Sequence, residues 1–122
     1  MKLHASLPAG ANTITGYGDD YVAVNGARHE SSLIVTAEQV QRWQVSAFDS
    51  LSGEDFEALK ALDVEIVILG TGPRQRFPHP RLTAPLTNAR VGLEVMDVRA
   101  ACRTYNILVA EARKVAAALL LK

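Results

Sequence analysis

The sequence predicts an α/β domain, and three observations lead to that class. Two apolar strand patterns, at 64–69 and 91–96, are joined by a segment long enough for a crossover, which favours parallel pairing. Asn25 and Gly26 stand between short alternating segments and form a two-residue hairpin signal. A helical apolar stripe follows Asp97, so strand and helix patterns alternate along the second half of the chain.

Composition indicates one globular domain in a reducing compartment. The chain has 122 residues, of which 48% are hydrophobic and 21% charged, as is ordinary for a folded domain. Cys102 is the sole cysteine, which excludes an intramolecular disulfide and a cysteine-rich metal site. The longest apolar run, at 115–121, is far short of the roughly 20 residues that span a bilayer, and residues 1–7 lack a secretory signal. We therefore expect a soluble, cytoplasmic protein.

The first half of the chain has the pattern of several short strands. Alternating segments bounded by turn residues predict strands at 13–17 and 21–24, which together form a meander. A continuous apolar run is typical of a strand covered on both faces, and it predicts a third strand at 31–35. A further short strand is predicted at 45–48, with Trp43 beside it as a packing anchor.

Capping residues and prolines delimit the helices. Ser52 is a plausible N-cap for a helix at 53–62, whose first-turn carboxylates complement the positive end of the helix dipole. In the crossover, Pro80 favours a helix start, but Pro85 removes a hydrogen bond, so the helix either is kinked or begins near Pro85. After Glu111 the alanine-rich tail fits a helix by propensity and a buried strand by its apolar run.

The segment from Gly70 to Arg76 is the principal candidate for a functional site. It follows a buried strand, at the end of an α/β sheet where ligands are commonly held. Its two glycines permit positive φ and close approach of the backbone to a ligand, and consecutive amides can form an anion-binding nest. Gln75 stands where the dinucleotide fingerprint needs glycine, and no lysine follows at the P-loop spacing, which excludes both motifs. A strand-exit turn needed only for packing explains the same residues.

The net charge of zero conceals a division along the chain. Through Glu65 there are ten acidic and four basic residues, whereas from Ile66 onward there are three acidic and nine basic residues. These charges are either solvated faces without a common role or an anion-facing surface. Seven of the nine basic residues are arginine, which suits bidentate contacts with carboxylate or phosphate. A neutral total charge and arginines without interleaved aromatics argue against nucleic acid as a partner.

No set of catalytic or metal-binding residues is apparent. His4, His29 and His79 are widely separated and lack a paired ligand spacing. Cys102 lies in the apolar stripe of its helix, where a cysteine acts as a small hydrophobe. The serines occur outside a nucleophile elbow, and the acidic residues at 54–57 are explained by helix capping. The sequence therefore predicts no catalytic residue, no metal and no cofactor.

The order of several segments is similar to that of a known family. The segments that carry the similarity are Gly70-Thr71-Gly72, Arg74 to Pro78, Gly92 to Asp97 and Arg103 to Leu108. The chain resembles a small domain of unknown function found in bacteria and archaea, which is related to a mitochondrial respiratory complex I assembly factor. That resemblance implies a three-layer α/β fold with a central mixed five-stranded sheet, its last strand antiparallel to the others, beside a small N-terminal β meander. It also implies that residues 113–121 form a strand.

One position departs from the pattern of that family. A glycine commonly precedes Arg113 in the family, whereas Ala112 stands here. If relatives end the preceding helix with a left-handed glycine, we expect this chain to end it differently.

Together these observations predict a non-catalytic binding or assembly module rather than an enzyme. The candidate contact residues are Gly70, Thr71, Gly72, Arg74, Gln75, Arg76, Arg99, Arg103 and Asn106. The resemblance implies a protein partner, with respiratory-complex subunits as candidates. The alternative is a carrier or enzyme that holds an anionic small molecule on the loop amides, with Thr71 and Asn106 orienting it. The sequence does not give an oligomeric state.

Overall fold

The computed structural model describes residues 10–122, so His4 lies outside the described part of the chain. Its strands are β1 (Ile14–Tyr17), β2 (Val22–Val24), β3 (Ala27–His29), β4 (Leu33–Thr36), β5 (Val40–Arg42), β6 (Ile66–Thr71), β7 (Gly92–Met96) and β8 (Val115–Leu120). Its α-helices are α1 (Gly53–Lys60), α2 (Pro80–Asn88) and α3 (Val98–Ala110).

A mixed five-stranded sheet in the order β5-β4-β8-β6-β7 forms the centre of the domain and confirms the predicted fold class. β6 pairs in parallel with β7, as the crossover predicted, and β8 also pairs in parallel with β6. β4 is antiparallel to both of its neighbours, β5 and β8. The expectation that the last strand is the reversed one is therefore wrong. α3 returns the chain to the end of the sheet where β7 begins, so β8 runs in the direction of β6 and β7.

Two buried clusters lie on opposite faces of this sheet. α3 and the small sheet β1-β2-β3 cover one face, whereas α1, α2 and Trp43 cover the other. In β6, Ile68 belongs to the first cluster and Val67 and Leu69 to the second, because successive side chains of a strand point to opposite faces. Trp43 is 6% exposed within the second cluster, which confirms its predicted role as a packing anchor.

The N-terminal meander is confirmed, with one strand that the sequence pattern did not predict. β1, β2 and β3 pair antiparallel in sequence order. Asn25 has φ 51° and Gly26 has φ 86°, the two positive angles that a type I′ hairpin requires. β3 carries mostly exposed side chains and lacks apolar alternation, so it gives no strand signal of its own. The predicted strand at 31–35 corresponds to β4.

The predicted strand at 45–48 is wrong, because β5 occupies the edge of the sheet instead. β4 and β5 are joined by a tight turn in which the Thr36 N–H donates to the Gln39 carbonyl at 2.9 Å. The Gln39 N–H in turn donates to Thr36 Oγ1 at 3.1 Å. The short turn brings β5 beside β4, so that β5 supplies the backbone hydrogen-bond partners along one edge of β4. A 3₁₀ turn at Phe48–Ser50 follows β5.

The predicted helix starts are largely confirmed. α1 follows Ser52, whose N–H donates to Asp55 Oδ2 at 2.8 Å. α2 begins at Pro80 and continues through Pro85, so it does not begin near the second proline. The tail forms β8, all of whose residues are buried, as the family resemblance implied.

α3 ends in a left-handed residue, although that residue is an alanine. Ala112 has φ 59°, and its N–H donates to the Val109 carbonyl at 3.0 Å. The Arg113 N–H donates to the Leu108 carbonyl at 3.0 Å, which completes a Schellman motif. The expectation of a different helix end is wrong. The chain keeps the left-handed geometry at a cost of about 1–2 kcal/mol for a residue with a Cβ.

Candidate functional site at the carboxyl end of the central sheet

The Gly70 to Arg76 loop leaves β6 beside the first turn of α3. At both of its glycines, close packing leaves little room for a side chain. A Cβ on Gly70 would lie 3.0 Å from the Ala101 Cβ and 3.2 Å from the Val98 Cα, so glycine allows α3 to pack closely on β6. Gly72 has φ +88°, and a Cβ there would lie 2.8 Å from the backbone of Lys122. The Val98 N–H also donates to the Gly72 carbonyl at 2.8 Å, which fixes the loop to α3.

Thr71 holds the loop in one shape. Its side chain is 1% exposed, and its Oγ1 donates to the Arg74 carbonyl at 2.7 Å. The same oxygen accepts from the Arg76 N–H at 3.0 Å. The hydroxyl therefore bridges two backbone groups of its own loop and restrains the segment on which the two arginines lie.

The polar side chains of the loop differ in their partners. Gln75 Nε2 donates to the Val95 carbonyl at 2.9 Å and so covers part of the free edge of β7. Arg76 Nη2 lies 2.9 Å from Asp49 Oδ1, and its Cζ lies 4.2 Å from the centre of the Phe48 ring. Arg74 is exposed, and within residues 10–122 no carboxylate lies within 4 Å of it. Arg74 is thus the loop arginine available for an external contact.

Arg99 and Arg103 contact the N-terminal meander, not the loop. Arg99 Nη2 lies 2.7 Å from Asp19 Oδ1, and Arg103 Nη1 donates to Tyr17 Oη at 2.9 Å. Tyr17 packs against the α3 face of the sheet, whereas Phe48, which contacts Arg76, packs against the opposite face. The structure therefore divides the predicted arginines between two faces.

Asn106 and its neighbour Tyr105, which we call the α3 clamp, tie the N-terminal segment to the helix. Asn106 Oδ1 accepts from the Ile14 N–H at 2.9 Å, and Asn106 Nδ2 donates to the Ile14 carbonyl at 2.7 Å. Tyr105 is fully buried and its Oη donates to the Asn12 carbonyl at 2.8 Å. Burial raises the pKa of Tyr105, so its hydroxyl stays a hydrogen-bond donor. Both side chains are used within the fold.

The charge division along the sequence is partly resolved by ion pairs between its two parts. Four ion pairs join a carboxylate from the acidic first part to a cation from the basic second part: Asp49 with Arg76, Asp19 with Arg99, Glu65 with Arg113 and Asp63 with Lys114. The Arg113 hydrogen bond to Glu65, 2.6 Å long, lowers the pKa of that carboxyl. Exposed pairs of this kind contribute little stability each. The other five of the nine cations after residue 65 have no carboxylate within 4 Å in the described part of the chain.

Neither of two cavities in the described chain is lined by a loop residue, although Lys122, which lines one of them, lies against Gly72. One, of about 160 Å³, lies between the ends of α1 and α3 and is lined in part by Asp63, Val109 and Ala112. The other, of about 170 Å³, lies beside Trp43 and Lys122. Both are smaller than the roughly 300 Å³ at which small-molecule sites usually begin.

Within residues 10–122, no cluster of three or more histidine, cysteine, aspartate or glutamate side chains could hold a metal ion. Cys102 is buried in α3, and burial raises the pKa of its thiol to about 12. The thiol is therefore protonated at neutral pH, where it is a poor nucleophile. His29 and His79 lie on separate elements.

Sequence reasoning missed Phe77 and Arg81 as candidate contact residues. Phe77 directly follows the loop and is 71% exposed, although it is a large apolar side chain. Arg81 is exposed in the first turn of α2. The available signal was the run of prolines at positions 73, 78 and 80, which keeps this stretch irregular and at the surface.

Comparisons with known proteins agree with this architecture. A family model described as "Protein of unknown function (DUF498/DUF598)" matches residues 14–120. An uncharacterized protein of Rhodobacter capsulatus is 36% identical over 114 residues, which cover 92% of this chain and 86% of that protein. A crystal structure of a Bordetella parapertussis protein superposes with a TM-score of 0.89 at 39% identity, covering 94% of this chain and all of the other.

A second kind of relative carries a functional name. The bovine protein named NADH dehydrogenase [ubiquinone] 1 alpha subcomplex assembly factor 3 is 30% identical over 109 residues, or 88% of this chain. The matched region is 59% of the bovine protein, so this chain spans well under two thirds of it. Within the described residues, no helix combines the length and apolarity needed to cross a membrane.

Proposed function

This chain belongs to the family of proteins of unknown function DUF498/DUF598, and we propose that it is a non-catalytic, assembly-factor-like module that binds a protein partner. The observation that carries the proposal is the loop itself: a restrained segment that displays Arg74 to solvent. A restrained segment with exposed side chains suits contact with a macromolecule, whereas small ligands are usually enclosed in a cavity.

The bovine relative supplies the candidate class of partner. Its name describes it as an assembly factor for NADH dehydrogenase, and we propose that subunits of that enzyme are the partners to test first. We propose that the protein acts in the cytoplasm, where such a subunit would fold and assemble with other subunits.

The alternative, an anionic small molecule held on the loop amides, is less well supported. Thr71 Oγ1 is bonded to the Arg74 carbonyl, and both polar atoms of the Asn106 side chain are bonded to Ile14. Neither side chain is free to orient a ligand in the way that alternative requires. It remains testable by thermal shift with a panel of phosphates and carboxylates, for which this proposal predicts no stabilisation.

The direct test is affinity capture from the native host with a tagged chain and quantitative identification of the retained proteins. We expect NADH dehydrogenase subunits to be enriched by the natural sequence and depleted at least fivefold by Arg74→Glu. Arg90→Glu is a matched control, because Arg90 is also exposed and lacks a carboxylate within 4 Å among residues 10–122. Retention of background proteins alone would overturn the proposed function.

A further inference from the structure

The stretch that continues the loop, residues 73–81, has an unusual composition for a surface segment. It contains three arginines and three prolines in nine residues and has no acidic residue. Each of its residues is exposed or only half-buried. We call it the 73–81 segment. The inference below rests on the proposed function and specifies the chemistry of the partner.

Phe77 is the apolar centre of the 73–81 segment. It is 71% exposed, and among the described residues the only other exposed large hydrophobic side chain is Ile107, at 59%. Aromatic residues, phenylalanine included, and arginine are both enriched at protein interfaces. Burial of this side chain against a partner would contribute favourably to the free energy of binding, because apolar surface is removed from water.

The backbone around Phe77 is restrained before any partner binds. Prolines at 73, 78 and 80 fix their φ angles. The Arg76 N–H is held by Thr71 Oγ1 at 3.0 Å, and the Arg81 N–H donates to His79 Nδ1 at 3.1 Å. A segment that is already ordered loses little conformational entropy on binding, so its contacts contribute more of their energy to affinity.

The charges of the segment indicate the complementary surface. Arg76 is neutralised by Asp49, but within residues 10–122 no carboxylate lies within 4 Å of Arg74 or Arg81. Two cations without carboxylate partners, before and after an exposed phenylalanine in the sequence, are complementary to a surface that supplies carboxylates around an apolar pocket. We propose that the 73–81 segment binds an acidic protein segment, with Phe77 as the apolar anchor and Arg74 and Arg81 as the flanking cations.

Arg81 allows binding to be separated from folding. It is the second residue of α2, where a negative side chain interacts favourably with the positive end of the helix dipole. Arg81→Glu should therefore weaken binding of an acidic partner while leaving the stability of the fold unchanged or slightly raised. A loss of binding by this variant cannot be attributed to unfolding.

The experiment places the photoreactive phenylalanine analogue benzoylphenylalanine at position 77 of the full chain in its native host, with position 107 as the matched control. We expect cross-linking from position 77 to a protein segment in which aspartate or glutamate lies within a few residues of the cross-linked site. The yield should fall at least fivefold in the Arg74→Glu, Arg81→Glu background and should fall in high salt. Position 107 should give no such product.

Several results would overturn this assignment. These are no cross-link from position 77, cross-linked segments without acidic residues, an unchanged yield after charge reversal, or cross-linking to lipid together with sedimentation on phosphatidylglycerol vesicles. If capture still retains NADH dehydrogenase subunits in those cases, the proposed function survives and only the 73–81 segment is rejected. If capture also fails, both proposals are rejected.

Discussion

The α3 clamp and the Gly70 to Arg76 loop both carry the resemblance to the family, yet they use their polar atoms in opposite ways. In the α3 clamp, the side chains of Tyr105 and Asn106 bond backbone groups of the N-terminal segment. In the loop, Thr71 makes the internal bonds while Arg74 extends into solvent. The two motifs are equally prominent in the sequence, but the first holds the fold together and the second also presents a side chain to solvent. Only the hydrogen-bond partners of each polar atom distinguish these roles.

The same comparison shows which arginines already have partners within the fold. Arg99 and Arg103 lie on the helix of the α3 clamp, and both are occupied by Asp19 and Tyr17 of the meander. Arg76 is occupied by Asp49. The basic residues after position 65 are thus divided between two roles. Five of them contact other parts of the fold, and the other four have no carboxylate within 4 Å among residues 10–122: Arg74, Arg81, Arg90 and Lys122.

The largest expected effect is loss of stability when the α3 clamp is broken. Asn106→Ala removes both hydrogen bonds to Ile14 and leaves the Ile14 N–H and carbonyl without these partners. The free energy of unfolding should therefore fall by about 2–3 kcal/mol. Urea denaturation followed by circular dichroism measures the change. Asn88→Ala, at an exposed position at the end of α2, is the control and should alter stability by less than about 0.5 kcal/mol. Equal losses of stability at positions 106 and 88 would show that the hydrogen bonds of Asn106 do not stabilise the fold.

The next effect tests whether the glycine at the base of the loop serves packing. Gly70→Ala places a Cβ 3.0 Å from the Ala101 Cβ and 3.1 Å from Leu119 Cδ2, and overpacking of this kind should cost about 1–3 kcal/mol. Gly53→Ala is the matched control, because a Cβ there meets nothing within 4 Å. If Gly70→Ala were as stable as the natural sequence, α3 would not pack on β6 as closely as described.

A smaller change in the opposite direction is expected at the end of the helix that bears the α3 clamp. Ala112→Gly relieves the left-handed conformation at φ 59°, and it should raise the free energy of unfolding by about 1 kcal/mol. Ala110→Gly, two residues earlier at the last position of α3, should lower stability by up to about 1 kcal/mol because glycine disfavours helical backbone. Thermal denaturation of the two variants should therefore shift the midpoint in opposite directions, and a shared direction would contradict the Schellman geometry.

The fold could be predicted from the sequence wherever a periodic pattern coincided with burial. Local chemistry that the sequence displays accounts for β6 and β7, the Asn25-Gly26 hairpin and the start of α3 after Asp97. At that start, Asp97 Oδ1 accepts from the Ala100 N–H at 3.0 Å. β3 and β5 could not be found in this way, because their side chains are largely exposed and pairing with neighbours decides their conformation. β8 is an alanine-rich strand against its helix propensity, and only its burial between β4 and β6 accounts for it.

The candidate site was predictable in position but not in the roles of its residues. The strand-to-loop transition at Gly70 was evident, because an apolar run ends in two glycines. Which arginines are free could not be inferred, since the pairs Asp49 with Arg76 and Asp19 with Arg99 join positions 27 and 80 residues apart. The importance of Phe77 likewise depends on its exposure in the folded chain, which the sequence does not give.

The smallest expected effect on stability accompanies the largest expected effect on binding. Arg74→Glu changes an exposed side chain without a carboxylate partner in residues 10–122, so the free energy of unfolding should change by less than about 0.5 kcal/mol. The decisive measurement is the amount of NADH dehydrogenase subunit retained by Arg74→Glu relative to the natural sequence, at a temperature where both are fully folded. A loss of at least fivefold is the predicted result. Undiminished retention would contradict the assignment of the loop to partner binding.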